Sequence, residues 1–376
     1  MYFDKLKSKY EEYRRDPRCW IENKQRLDLS DHACKTLISD AEIFCSEQNS
    51  ARGTIPSHVI NHIFSCYYQS AQSSIAFTLN RLEQQISSQL DFLTSGRSRV
   101  VSVLLENEKG RLLQARDRRC REKGCPIVFR MNMENIKFLA DTEEGQAEGI
   151  FYNNNIGLYV KAILEEYAEK TYSEREQIYC KAHFNEIEKA IGDKTQLRIT
   201  LKGTDHSRGV ERNRRMYVKP YKICQDSERM YNYLVGLISS DREGPWRIAA
   251  IRLSSMESCT KLEIPAFLSA AVRKEIGNQL NKHGVQYISS NDQNQKILVQ
   301  LTPAGEKMYR RLLHLRPVCT AKYEKSVYEF ECTQWQAINY FFKFGRDVKI
   351  LEPQKLADSF HRRYAAAAKQ YEPTEN

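Results

Sequence analysis

Residues 197–223 read LRITLKG (197–203), TDHSRGVERNR (204–214) and RMYVKPYKI (215–223). Apolar side chains recur at every second position, Leu197, Ile199 and Leu201 on one arm and Met216 and Val218 on the other. That period belongs to strands with one buried face, so the stretch predicts a hairpin. Its other face then carries Arg198, Thr200 and Lys202 beside Arg215, Tyr217 and Lys219. Between positions 198 and 222, Arg198, Lys202, Arg208, Arg212, Arg214, Arg215, Lys219 and Lys222 face only Asp205 and Glu211 in the count of charges. More than half of the chain's net charge of +10 therefore falls in this one window, which also holds His206. Cations for phosphates, interleaved with rings for exposed bases, are what single-stranded nucleic acid requires of a protein surface. The plainer alternative is an edge hairpin kept soluble by its charge.

The period of two continues in YNYLVGLIS (231–239) and WRIAAIRLS (246–254), which together with the hairpin predict a small β-barrel. Beyond about Asn281 the pattern becomes strand (KILVQL), helix (PAGEKMYRRLLHL), strand, strand (KSVYEFEC), helix (TQWQAINYFFKF), strand (DVKIL) and helix (PQKLADSFHRRYAAAAKQY). That is the split βαβ order of a ferredoxin-like domain.

Upstream, Leu27 and Leu29 alternate with Arg26 and Asp28, the pattern of a short strand. Ser30 can cap a helix with Ala33, Leu37, Ala41 and Phe44 on one face. A second helix begins near Pro56, with Ile55, Val59 and Ile63 on one stripe. A lone strand cannot satisfy its backbone groups, so it needs a partner, most simply the same strand of a second copy. A helical connector (SIAFTLNRLEQQISSQLDFL) and a mixed segment to about Ala140 follow. In IGLYVKAILEEYAEK, Val160, Ile163, Leu164 and Tyr167 make an apolar face. In SEREQIYCKAHFNEIEKAIGD, Ser173 and Glu176 predict a capping box and Gly192 a helix stop.

The 376 residues suffice for two or three domains, and 41% hydrophobic with 28% charged residues fits a globular protein. The N-terminus is charged from its fourth residue and has no apolar core of a secretory signal. No apolar run approaches the ~20 residues of a membrane span. Eleven scattered cysteines show no disulfide framework, so the cytoplasm is the expected compartment. A second basic run, RLLQARDRRCREK (111–123), spreads its arginines around a helix and reads as a solvated face. His58 and His62 stand one helical turn apart, but Val59 occupies the position where a zinc protease needs Glu. Cys120 and Cys125 lack a second ligand pair at zinc spacing. Arg52 and His58 flank Gly53 and Pro56, a break across which no helix presents both. No nucleophile elbow or phosphate-binding loop is present, so neither catalysis, a metal nor a cofactor is expected.

The barrel segment resembles a WYL domain. The likeness lies in Pro220-Tyr221, in Tyr233-Leu234 and in the arginine-bearing strand IRLSSM (251–256), with Asn232 standing where the family has Trp. DVKILEPQKLADSFHRRY resembles the extension that commonly follows WYL domains. The early strand–helix–helix order resembles the ribbon-helix-helix family, in which the outward strand residues, here Lys24 and Arg26, read DNA. In combination the chain resembles the WYL accessory proteins of type VI-D CRISPR systems. The resemblance implies an α+β homodimer: a ribbon-helix-helix dimerisation domain (1–70), a helical connector (71–196), an Sm-like WYL barrel (197–280) and a ferredoxin-like dimerisation extension (281–376). It also implies a non-catalytic partner of single-stranded RNA that enhances an RNA-guided RNA nuclease. The expected nucleic-acid contacts are Arg198, Lys202, His206, Arg208, Arg212, Arg214, Arg215 and Lys219, with Tyr221, Tyr233 and Arg252 carried over by motif position. The alternative is a ligand-responsive regulator that binds DNA through its ribbon, and a third class is a protein–protein adaptor.

Overall fold

The computed structural model describes residues 24–45, 55–70, 74–90, 96–141, 148–153, 155–202, 215–226, 230–288 and 295–371, with a few positions between 8 and 16. They divide into two compact units, Met1–Ala182 and His183–Asn376. The first unit runs β1 (Lys24–Leu29), α1 (Asp31–Phe44), α2 (Ser57–Ser70), α3 (Ile75–Gln89), α4 (Arg97–Arg121), β2 (Cys125–Arg130), α5 (Met133–Asp141), α6 (Ile156–Glu169) and α7 (Tyr172–Tyr179).

As expected, Ser30 caps α1 by accepting the Ala33 N–H, and Ala33, Leu37, Ala41 and Phe44 are buried. The partner of β1 is a correction. It is β2 of the same chain, antiparallel, with Lys24 opposite Arg130 and Arg26 opposite Val128. The lone-strand argument for a second copy therefore does not hold, because an intramolecular ladder already engages β1. Helix α6 is buried almost all round, Lys161 and Glu165 included. The Glu165 carboxylate accepts from Ser30 N at 2.7 Å and Ser30 Oγ at 2.6 Å, which fastens the start of α1 to α6. At the other end of α1, the buried Asp40 accepts from Arg175 Nε (2.7 Å) and from the Tyr167 hydroxyl (2.8 Å). The capping box also moves. Thr171 and Glu174, not Ser173 and Glu176, cap α7 reciprocally, and this helix ends at Cys180.

The second unit opens with α8 (Lys181–Asp193), which crosses the boundary between the units. Lys194, with φ of 54°, rather than Gly192, turns the chain out of the helix. Five strands follow: β3 (Thr195–Leu201), β4 (Arg215–Gln225), β5 (Asn232–Ser239), β6 (Arg247–Arg252) and β7 (Met256–Pro265). They form an antiparallel sheet in the order β6-β5-β4-β3-β7. The two edge strands are consecutive in the chain, joined by a 3-10 turn at Leu253–Ser255. The expected barrel is thus an open sheet among the described residues, since no ladder joins β6 to β7.

One face of this sheet packs Leu197, Ile199, Met216, Val218 and Leu234 against Ile187 and Ala190 of α8. The other face packs Val235 and Ile248 against Ile276 of α9 (Ala270–His283). Next come β8 (Gln295–Leu301), α10 (Pro303–Arg311), β9 (Cys319–Tyr323), β10 (Val327–Cys332), α11 (Gln334–Phe341), β11 (Val348–Glu352) and α12 (Gln354–Lys369). Their antiparallel sheet has the order β11-β8-β10-β9. Phe330, Phe341, Leu356 and Phe360 lie in its core.

Candidate nucleic-acid interface

The hairpin forms in the register its period demands: Leu197 lies opposite Val218, Arg198 opposite Tyr217, Ile199 opposite Met216 and Thr200 opposite Arg215. The four apolar residues are buried, while Arg198 and Arg215 are exposed and Tyr217 and Lys219 half-buried on the opposite face. Cross-strand neighbours stand about 4.5–5.5 Å apart at Cβ, so Arg198 and Tyr217 are direct neighbours at the centre of this face. Lys219 extends the row and lies 4.4 Å from the Trp246 ring centroid.

Pro220-Tyr221 marks a β-bulge. Pro220 pairs with Gly236 and Lys222 with Val235, which leaves Tyr221 as the extra residue. Proline has no N–H to offer the ladder, and a bulge is where a strand tolerates that loss. Gly236 accommodates the close approach there, since a Cβ on it would lie 2.2 Å from the Lys219 carbonyl oxygen. Tyr221 packs against the core beneath α9, with Lys222 Nζ 5.7 Å from its ring centroid. Tyr233 borders the same core and pairs with Arg252 across β5 and β6. The Arg252 guanidinium lies 3.6 Å from the ring centroid of Tyr231, a residue the sequence pattern did not single out. The cation row and the Tyr233–Arg252 pair therefore occupy one face of one sheet.

Lys202 is a correction. Its ammonium donates to the Ser254 carbonyl at 2.8 Å, and its backbone N–H to the Ser255 carbonyl at 2.9 Å, so it ties the hairpin to the 3-10 turn instead of extending the row. His206, Arg208, Arg212 and Arg214 lie outside the described residues. In the first unit, Lys24 and Arg26 are exposed on β1, and Arg130 of β2 adds a third cation to that ribbon. Asp28 accepts from the Gly124 N–H at 3.3 Å.

The second basic run, expected as a solvated face, is largely engaged in ion pairs. Arg119 meets Glu166 at 3.2 Å and Glu169 at 3.0 Å, and Arg116 is bound by Asp117 and the Phe151 carbonyl. His62 Nε2 stands 2.6 Å from the Tyr179 carbonyl and His58 Nε2 3.5 Å from Cys45 Sγ, so the two imidazoles serve separate neighbours. Among the described residues no group of three or more His, Cys, Asp and Glu side chains could hold a metal, and no helix is long and apolar enough to cross a membrane.

No protein-family model and no curated protein matches the chain. Among solved structures, the fold is similar to that of a protein described as "Crystal structure of a CRISPR Cas-related protein". The TM-score is 0.71 at 21% identity, over 93% of this chain and 94% of that one. A second structure, the proteasome accessory factor B/C of Arthrobacter aurescens, matches with a TM-score of 0.27 at 15% identity, over 66% of this chain and 37% of that one. At 21% identity the first likeness establishes a shared fold along nearly the whole chain.

Proposed function

We propose that this chain is a non-catalytic accessory protein of a type VI-D CRISPR system, binding single-stranded RNA and raising the activity of an RNA-guided RNA nuclease. The observation that carries the RNA reading is the outer hairpin face, where Arg198, Arg215 and Lys219 surround Tyr217. Phosphates fit the cations, and an unstacked base fits the ring. Duplex RNA or DNA would bring the phosphates but no free base face to the tyrosine. The CRISPR setting is supported by the fold shared with a CRISPR Cas-related protein.

The domain readings have their own support. The sheet order β6-β5-β4-β3-β7, with a 3-10 turn carrying the chain from edge to edge, suits an Sm-like WYL unit. The order β11-β8-β10-β9 suits a ferredoxin-like extension. The β1–α1–α2 sequence supports a ribbon-helix-helix element, with β2 added to its strand. A cytoplasmic homodimer completes the proposal, resting on the family resemblance.

Equilibrium binding to single-stranded RNA, single-stranded DNA and duplex DNA, each at two salt concentrations, tests the reading. Single-stranded RNA is expected to bind tightest, and adding the protein to the effector is expected to raise its RNA cleavage. A preference for palindromic duplex DNA would overturn it. That outcome would favour the regulator reading, for which the Lys24, Arg26 and Arg130 row on the ribbon is the specific support.

A further inference from the structure

A cleft of about 430 Å³ opens between the start of β5, the segment after α9, and helix α11. Tyr231, Tyr233, Tyr287 and Trp335 supply rings to its wall, and Gln286 and Asn339 supply amides. Its volume falls within the roughly 300–1,000 Å³ of small-ligand sites. Trp335 is 55% exposed, while its helix buries Ala337, Tyr340 and Phe341 in the core. The indole thus stands on the side of α11 that the core does not use. Asn339 follows one turn later on the same side and lines the same cleft.

Two further features favour a flat, hydrogen-bonding ligand. Gln286 lines the cleft and its buried Oε1 has no hydrogen-bond partner among the described residues, so a turn of this amide toward the cleft would give it an incoming N–H to accept. Asp226, which also lines the cleft, is buried, and its Oδ1 accepts from the backbone N–H groups of Met230 (2.7 Å) and Tyr231, which fastens the approach to β5. The stack of Arg252 on Tyr231 holds that ring as a wall. An aliphatic ligand would leave Gln286 Oε1 unsatisfied. An adenine would stack on the indole, donate its exocyclic amine to Gln286 and meet the Asn339 amide with a ring nitrogen.

We propose that this cleft is a nucleobase site, with Trp335 as the stacking platform and Gln286 and Asn339 reading the edge of an adenine. As the seat of a base within a strand it rests on the RNA reading above. As a site for a free nucleotide it does not.

The test titrates wild type, Trp335→Ala and Gln286→Leu with adenosine monophosphate, uridine monophosphate, and 12-mers of oligo-adenylate and oligo-uridylate. Trp335→Ala is expected to weaken the adenine probes about tenfold, the scale of one lost base stack. Gln286→Leu, which keeps the stack, is expected to narrow the preference for adenine over uracil. If the monophosphate binds and no 12-mer does, the base site stands with a free nucleotide as its ligand and the RNA reading falls. If the 12-mers bind all three proteins equally and no monophosphate binds, the base site is overturned and the RNA reading stands. If no probe binds wild type, both fall.

Discussion

At the residue scale, the period of two in 197–223 places Arg198, Tyr217 and Arg215 correctly because a strand's geometry leaves no other choice of face. Lys202 shares that period and still leaves the row, since its ammonium is captured by a carbonyl of a turn 52 positions away, a contact no local pattern encodes. Trp335 was illegible for a different reason: helical spacing tells which residues face a core, not what an exposed ring on the other side is for. Gly236 carries a sharp prediction. Its Cβ position lies 2.2 Å from the Lys219 carbonyl, so Gly236→Ala must shift the bulge. The expected loss is about 1–3 kcal/mol, the usual cost of overpacking, read by urea denaturation, and an unchanged midpoint would contradict it. Buried thiols give a pH prediction. Burial pushes the Cys66 thiol up to about 11, and burial with the neighbouring Cys125 pushes Cys34 up to about 12. The unfolded chain then loses these protons first, so their contribution is intact below the ordinary thiol pKa near 9 and is lost as pH rises toward 11–12. Stability measured by urea denaturation should therefore be lower at about pH 10 than at about pH 8, on the wrong side of that ordinary pKa. Equal stability at the two values would remove this account.

At the element scale, β1 was legible and β2 was not. Residues 125–130 include Pro126 and present an exposed Val128, so they lack the clean alternation that identified β1. Missing that strand turned an intramolecular ladder into an apparent demand for a second copy. The four strands and three helices of the C-terminal segment were legible in order, because each short apolar run is bounded by a cap or turn. Thr302 and Thr333 supply two of those caps. The joint between α1, α6 and α7 depends on Asp40, which has no exposed side-chain surface and meets both Arg175 and Tyr167. Arg175→Ala leaves that carboxylate buried with one hydroxyl donor and is expected to cost about 3–5 kcal/mol. Loss of under about 1 kcal/mol in chemical denaturation would place the pair among weak surface contacts instead.

At the scale of the whole molecule, the charge asymmetry decides what the protein is expected to hold. The chain's net charge is +10, and its hairpin window holds more than half of it. In the second basic run the arginines are offset by close carboxylates, as Arg119 is by Glu166 and Glu169. The chain shares its fold with a CRISPR Cas-related protein along 93% of its length, and the hairpin face is where the proposed RNA binding becomes measurable. The most direct measurement is the salt dependence of single-stranded RNA binding by wild type and by the Arg198→Ala, Arg215→Ala, Lys219→Ala triple variant. Each phosphate contact on a single strand contributes a slope of about 0.7 in log affinity against log salt. The triple variant is therefore expected to bind more weakly, with a slope shallower by about two. An unchanged slope and affinity would contradict the account and leave the hairpin as a solvated surface.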